Sequence, residues 1–212
     1  MDQNQKKPKA SRIAVLISGR GSNMVALSDS IRNGVITNAE IVIVVSDKAD
    51  AAGVNLARER GLNTVVIERL GRKREEHEAE VIEALQQHNV DLICLAGYMR
   101  VLSPIFVQTF TLRVLNIHPS LLPSFPGLKP QQQALDHGVK LSGCTVHFVD
   151  NALDGGPIVA QRAVPVLDDD SEESLSARIL EEEHVLYAEA VNRIVNNDYR
   201  VDGRRVLIDR PQ

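Results

Sequence analysis
The sequence predicts an α/β domain built on a mostly parallel open sheet with helices on both faces. Three observations carry this. Short β-branched runs such as Arg12–Ile17 (RIAVLI) and Ile41–Val45 (IVIVV) lack polar alternation, as strands buried on both faces do. Amphipathic segments separate these runs, as right-handed βαβ units require. The chain has 212 residues, 43% of them hydrophobic, which suits one such domain and leaves little room for a second.

In chain order, Arg12–Ile17 reads as the first strand. Asn23–Arg32 reads as a helix, with Met24, Leu27 and Ile31 at helical spacing. Ile41–Val45 is a second strand, and Ala51–Arg60 a helix stopped by Gly61. Thr64–Ile67 is a third strand. Arg74–His88 is a helix with Val81, Ile82 and Leu85 on one face. Leu92–Ala96 and Arg113–Ile117 are the fourth and fifth strands. After residue 140 the pattern changes: Cys144–Val149 and Ile158–Val166 are joined by a short Gly-rich loop, as in an antiparallel pair. Ser171 is placed to cap a helix running to about Asn196, with Glu172 and Glu173 in its first turn. Asp202-Gly203 between short strand-like arms signals a hairpin. The expected division is a disordered tail over 1–11, the main domain over 12–197, and a hairpin and tail over 198–212.

Composition excludes several function classes. The formal net charge of -4 argues against general nucleic-acid binding; Lys6, Lys7 and Lys9 cluster only in the polar tail. No apolar run approaches the ~18 residues of a membrane span, and Ile13–Ile17 is too short for a signal-peptide core. Cys94 and Cys144 sit in apolar strand-like runs and read as buried reduced thiols. The expectation is a cytoplasmic protein acting on small molecules. The six histidines are scattered, with no HExxH or paired CxxC, so no metal site is expected.

Two segments carry chemistry. Ser18-Gly19-Arg20-Gly21-Ser22-Asn23 lies between the first strand and first helix, where backbone N–H groups and a helix N-terminus face an anion. The readings are a phosphate site, a dinucleotide site or a structural turn. Met24 replaces the third glycine of the dinucleotide pattern, while Asp47 stands where a ribose-binding acid belongs. The second segment is Asn116-Ile117-His118-Pro119. Side chains two apart at a strand end leave on one face, and strand ends of a parallel sheet are where ligands bind. An amide beside an imidazole holds an oxyanion and moves a proton; the bland alternative is an Asn satisfying a turn and a His packed under a Pro-rich loop. Asp154, in Leu153-Asp154-Gly155-Gly156-Pro157, offers a carboxylate that favours imidazolium if it meets His118; otherwise it starts a glycine turn.

Four blocks together resemble the phosphoribosylglycinamide formyltransferase family: Ile13-Ala14-Val15-Leu16-Ile17-Ser18-Gly19-x-Gly21-Ser22-Asn23, Leu95-Ala96-Gly97-Tyr98-Met99-Arg100, Asn116 through Pro123, and Leu153 through Pro157. The resemblance runs from about residue 12 to 195. It implies a Rossmann-like formyltransferase fold, 10-formyltetrahydrofolate as cosubstrate and a step of purine synthesis. It implies that Gly21, Ser22 and Asn23 hold the acceptor's phosphate and that Glu183 binds its ribose. Arg74, Met99, Arg100, Val101, Leu102 and the loop from Asp150 to Asp154 match folate-contacting positions. Asn116, His118 and Asp154 match the catalytic trio, with Asn116 and Asp154 also on the folate side. Leu122-Pro123 matches a cis bond. Lys129 departs from the family's usual His in the loop covering the site. The rival expectations are another enzyme using 10-formyltetrahydrofolate, transferase or hydrolase, and a non-catalytic nucleotide-binding module.

Overall fold
The computed structural model describes residues 10–208. The cluster Lys6, Lys7, Lys9 and the last four residues lie outside the described residues. The first strand, β1 (Ser11–Ile17), starts inside the segment expected to be tail. It is followed by α1 (Ser22–Arg32), β2 (Ala39–Ser46), α2 (Ala52–Glu59), β3 (Thr64–Val66), α3 (Arg74–Gln87), β4 (Leu92–Leu95), α4 (Pro104–Thr109) and β5 (Val114–His118). Then come α5 (Pro130–Asp136), β6 (Leu141–Phe148), β7 (Ile158–Pro165), α6 (Glu172–Asn196), β8 (Tyr199–Asp202) and β9 (Arg205–Ile208).

The nine strands of the described residues form one sheet in the order β3-β2-β1-β4-β5-β6-β7-β9-β8. The first five run parallel; β5 to β6 and β6 to β7 are antiparallel. The order reverses direction between β1 and β4, so a crevice opens at their carboxyl ends. Alternate residues of the central strands feed two cores. Ile13, Val15 and Ile17 meet Met24, Leu27, Val54, Ile179 and Val191 on one face. Ala14 and Leu16 meet Val81, Leu85, Phe106 and Phe110 on the other. Each fully buried aliphatic side chain contributes about 1.5–3 kcal/mol, so the doubly buried strands hold the crevice rigidly.

The expected strands and long helices are all present, with boundaries moved by up to three residues. α6 spans Glu172–Asn196. Ser171 Oγ accepts from Ser174 N at 3.2 Å and Ser174 Oγ accepts from Ser171 N at 3.0 Å, a reciprocal cap. Two short helices were not expected. α4 begins at Pro104 after Ser103, whose hydroxyl accepts from Phe106 N at 3.2 Å; α5 begins at Pro130. The C-terminal hairpin docks onto the main sheet. β9 pairs with β7 through Ile158 and Arg205, Tyr199 stacks on Phe148 with ring centroids 5.4 Å apart, and Tyr199 Oη donates to Leu112 O at 3.0 Å.

Candidate active site
The loop after β1 is shaped by contact between two glycines. Gly21 caps α1 in the left-handed region, φ 77. A Cβ there would lie 2.7 Å from Gly53 Cα, and a Cβ on Gly53 would lie 3.0 Å from Gly21 Cα. Gly53 N also donates to Gly19 O at 2.9 Å. The start of α2 therefore presses directly on the loop and fixes it. Ser22, half-buried, opens α1. Asn23, buried in its first turn, donates from Nδ2 to Glu183 Oε2 of α6 at 2.8 Å, while its Oδ1 is buried without a partner. Residues 160 positions apart are thus joined. Burial pushes the Glu183 carboxyl above its ordinary range, opposed by the Asn23 hydrogen bond and the positive charge of Arg20.

The neighbouring segment after β4 is held by its backbone. Ser18 Oγ accepts from Met99 N at 2.8 Å, and Ser18 N donates to Gly97 O at 3.1 Å. Ser103 N donates to Glu78 Oε1 of α3 at 2.9 Å. Arg100 Nε donates to Asp47 Oδ2 at 2.5 Å. Asp47 is therefore engaged by Arg100 through Oδ2, while its Oδ1 is buried without a partner. Two side chains of this segment remain outward: Met99 is 69% and Val101 64% exposed. A cavity of about 270 Å³ lies here, lined by Arg74, His77, Glu78, Met99, Arg100 and Val101 among others. Asn116, His118 and Asp154 are not among its walls. Leu102 packs against the core behind the segment. Asp150 is exposed and accepts from Ala152 N at 2.9 Å as a turn former. Neither residue lines the cavity.

At the end of β5, Asn116 and His118 share a face, as their spacing predicts. The antiparallel register sets Asn116 opposite His147 and His118 opposite Thr145 of β6. Thr145 Oγ1 accepts from Leu122 N at 3.0 Å and donates to Ser120 O at 2.7 Å, which seats the loop carrying the cis Leu122-Pro123 bond. Gly156 allows the Asp154 loop to lie on β6, since a Cβ there would meet Phe148 O at 1.9 Å. Asp154 then reaches His118: its Oδ2 lies 3.5 Å from His118 Nδ1 and accepts from Gly127 N at 2.8 Å. His118 Nε2 lies 3.0 Å from Phe125 O. Both ring nitrogens face oxygen acceptors, so a ring protonated on both satisfies both.

His147 belongs to this cluster, although the sequence reading passed over it. It is 2% exposed. Its Nδ1 donates to Phe148 O at 2.9 Å, which leaves Nε2 as an acceptor for Asn116 Nδ2 at 3.2 Å. Burial depresses its basicity below the ordinary imidazole value, countered in part by the Phe148 carbonyl and Asp154. A neutral His147 thus orients the Asn116 amide and keeps one Nδ2 hydrogen available. The signal was a polar residue inside an apolar strand; its partner came only with the β5–β6 register. Among the described residues no cluster of three or more His, Cys, Asp or Glu side chains could hold a metal ion. Burial pushes both cysteine thiols up to about 12, so neither is a ready nucleophile. Among the described residues no helix is long and apolar enough to cross a membrane.

The formyl transferase family profile matches residues 11–191. This chain belongs to that family. It is 41% identical to the phosphoribosylglycinamide formyltransferase of Escherichia coli strain K12, over 93% of each chain. The crystal structure of glycinamide ribonucleotide transformylase 1 from Symbiobacterium toebii superimposes with a TM-score of 0.92 at 47% identity, covering 95% of both chains. The Drosophila melanogaster trifunctional purine biosynthetic protein adenosine-3 is 47% identical over 92% of this chain, which spans 14% of that longer protein. The Rossmann-like formyltransferase fold expected from the motifs is the fold observed.

Proposed function
We propose that this formyl transferase moves a formyl group from 10-formyltetrahydrofolate to the amine of phosphoribosylglycinamide, a step of purine biosynthesis. One observation carries the reading: Asn116, His118 and Asp154 converge beside the β1–β4 crevice, His118 and Asp154 at 3.5 Å, between a helix N-terminus suited to phosphate and an apolar-rimmed segment suited to a flat ring.

The acceptor's phosphate sits at Gly21–Asn23, and its ribose meets Glu183. The folate lies along Met99–Leu102 and the 150–154 loop, with Arg74 at its carboxylate end. The acceptor amine attacks the formyl carbon and forms the new C–N bond. The resulting oxyanion takes a hydrogen bond from the free Nδ2 hydrogen of Asn116 and is stabilised by the charge of protonated His118, whose Nε2–H turns to it from the Phe125 carbonyl. Asp154 stabilises the imidazolium. Collapse of the tetrahedral centre breaks the bond to the folate nitrogen, which takes up a proton as the acceptor amine gives one up. No metal enters this chemistry as proposed.

Incubating purified protein with 10-formyltetrahydrofolate and phosphoribosylglycinamide tests the reading. Formylated acceptor and tetrahydrofolate should appear in equal amounts. Release of formate without acceptor formylation would identify a hydrolase instead.

A further inference from the structure
Arg20 has no place in the mechanism above. It lies between Gly19 and Gly21 in the loop that Gly53 fixes, with its side chain exposed. Among the described residues it forms no ion pair, unlike Arg100 next door, which is committed to Asp47. Its charge nevertheless reaches the buried carboxylate of Glu183.

The electrostatics of this corner are incomplete without it. A helix N-terminus presents roughly half a unit of positive charge. A phosphomonoester carries about 1.5 to 2 negative charges near neutral pH. Glu183, only 7% exposed, adds another negative group to the same corner. Backbone N–H groups alone leave a phosphate there under-neutralised and repelled. Asn23 Oδ1, buried at the same helix start without a donor, independently marks the corner as built for a ligand that brings a donor, such as the acceptor's ribose hydroxyls, and offers its phosphate no neutralising contact. A guanidinium matches a phosphate in charge and geometry.

We infer that Arg20 is the side-chain anchor of the acceptor's phosphate and sets the preference for phosphorylated over unphosphorylated acceptors. The inference rests on the acceptor reading of residues 18–23. In the free protein Arg20 offsets the charge of Glu183; in the complex it turns onto the phosphate, leaving Glu183 to the ribose hydroxyls. Residue 20 then acts as a specificity determinant that the glycines and Asn23 do not supply.

Steady-state kinetics of the native chain, Arg20→Ala and Arg20→Lys test this, using phosphoribosylglycinamide and its dephosphorylated nucleoside. Arg20→Ala should raise KM for the phosphorylated acceptor about 10–100-fold, the scale of losing a hydrogen bond to a charged group. kcat, the folate KM, and kcat/KM for the nucleoside should each stay within about twofold. Arg20→Lys should recover part of the loss by restoring charge without the fork. An unchanged KM, or equal losses for both acceptors, would overturn the inference. Calorimetric titration with inorganic phosphate separates this from the acceptor reading: weaker binding to Arg20→Ala than to the native chain supports the anchor even if phosphoribosylglycinamide proves not to be a substrate, and equal binding refutes it.

Discussion

The two halves of the crevice are built on opposite plans. On the phosphate side, polar side chains are buried and already joined: Asn23 is 8% and Glu183 7% exposed, and they bond each other. The main chain there is fixed by helix packing, glycine against glycine. On the side proposed for the folate the main chain is pinned by polar anchors, Ser18 to Met99 N and Glu78 to Ser103 N, and the Arg100 side chain is tied to Asp47. Its Met99 and Val101 side chains stay outside, as do Leu128 at 83% and Leu153 at 63% exposure. A small, charged ligand needs fixed donors, because an unpaired polar group in a dry corner is costly. A large flat ligand needs apolar surface to cover, and that surface is uncovered in the free chain. Under the proposed function, this contrast puts selectivity on the first side and much of the binding area on the second.

Substitutions along this divide test it. The largest effect belongs to the groups between the halves: His118→Ala and Asn116→Ala should each lower kcat by at least roughly 10², the scale of a lost oxyanion donor. Substrate affinities measured by equilibrium titration should change far less, and near-normal turnover in His118→Ala would end the proposed mechanism. Next comes Gly21→Val. It meets Gly53 Cα and demands φ 77 of a β-branched residue, so it should cost about 1–3 kcal/mol of stability as well as acceptor affinity. Thermal melting separates the two effects, and a normal melt with a raised acceptor KM alone would show the loop is not fixed by α2.

A smaller loss is expected on the folate side. Glu78→Ala removes the acceptor for Ser103 N, and should raise the folate KM about tenfold with the acceptor KM nearly unchanged. Glu78→Gln keeps an oxygen for that bond and should recover most of the affinity. Equal changes in both KM values would mean the anchors are shared across the crevice. The smallest effect concerns Glu183. Burial raises its folded pKa above the ordinary 4.5, so the folded chain holds the proton more tightly than the unfolded one. Stability is therefore lost as pH rises from about 4.5 through the folded value. Glu183→Gln should melt higher at neutral pH, by an amount on the order of 2–4 °C per kcal/mol relieved, and show no gain near pH 4. A melt that falls at neutral pH would show that the charged pair with Asn23 stabilises the fold.

How much of this was readable from the chain depends on whether the signal was local. β1, β2 and α6 were legible because buried strands and a Ser171 cap leave their mark within a few residues. α4 and α5 left marks too, a Ser before Pro104 and Pro130 at a helix start, but they are short and lie beside louder motifs. Asn116, His118 and Asp154 were legible as residue types, and their meeting was not, because it depends on Gly156 letting one loop settle against Phe148. His147 needed the antiparallel register. Glu78 reads as one more acid on a charged helix; only the fold turns it inward to 3% exposure. Asp47 stayed open as a ribose-binding acid within the dinucleotide alternative because the position of Arg100 is a tertiary fact.

Among the described residues, the loop from Phe125 to Lys129 is hydrogen-bonded to the proposed catalytic trio through main-chain groups: the Phe125 carbonyl faces His118, and the Gly127 N–H holds Asp154. Peptide groups are the same whatever side chain they carry. The polar wiring of the trio is therefore insulated from the spelling of this loop. Lys129, at φ 52 ahead of Pro130, can replace a histidine without altering a hydrogen bond to the reacting centre. Change at that position retunes what the loop presents to solvent, while the hydrogen bonds beneath it stay as they are.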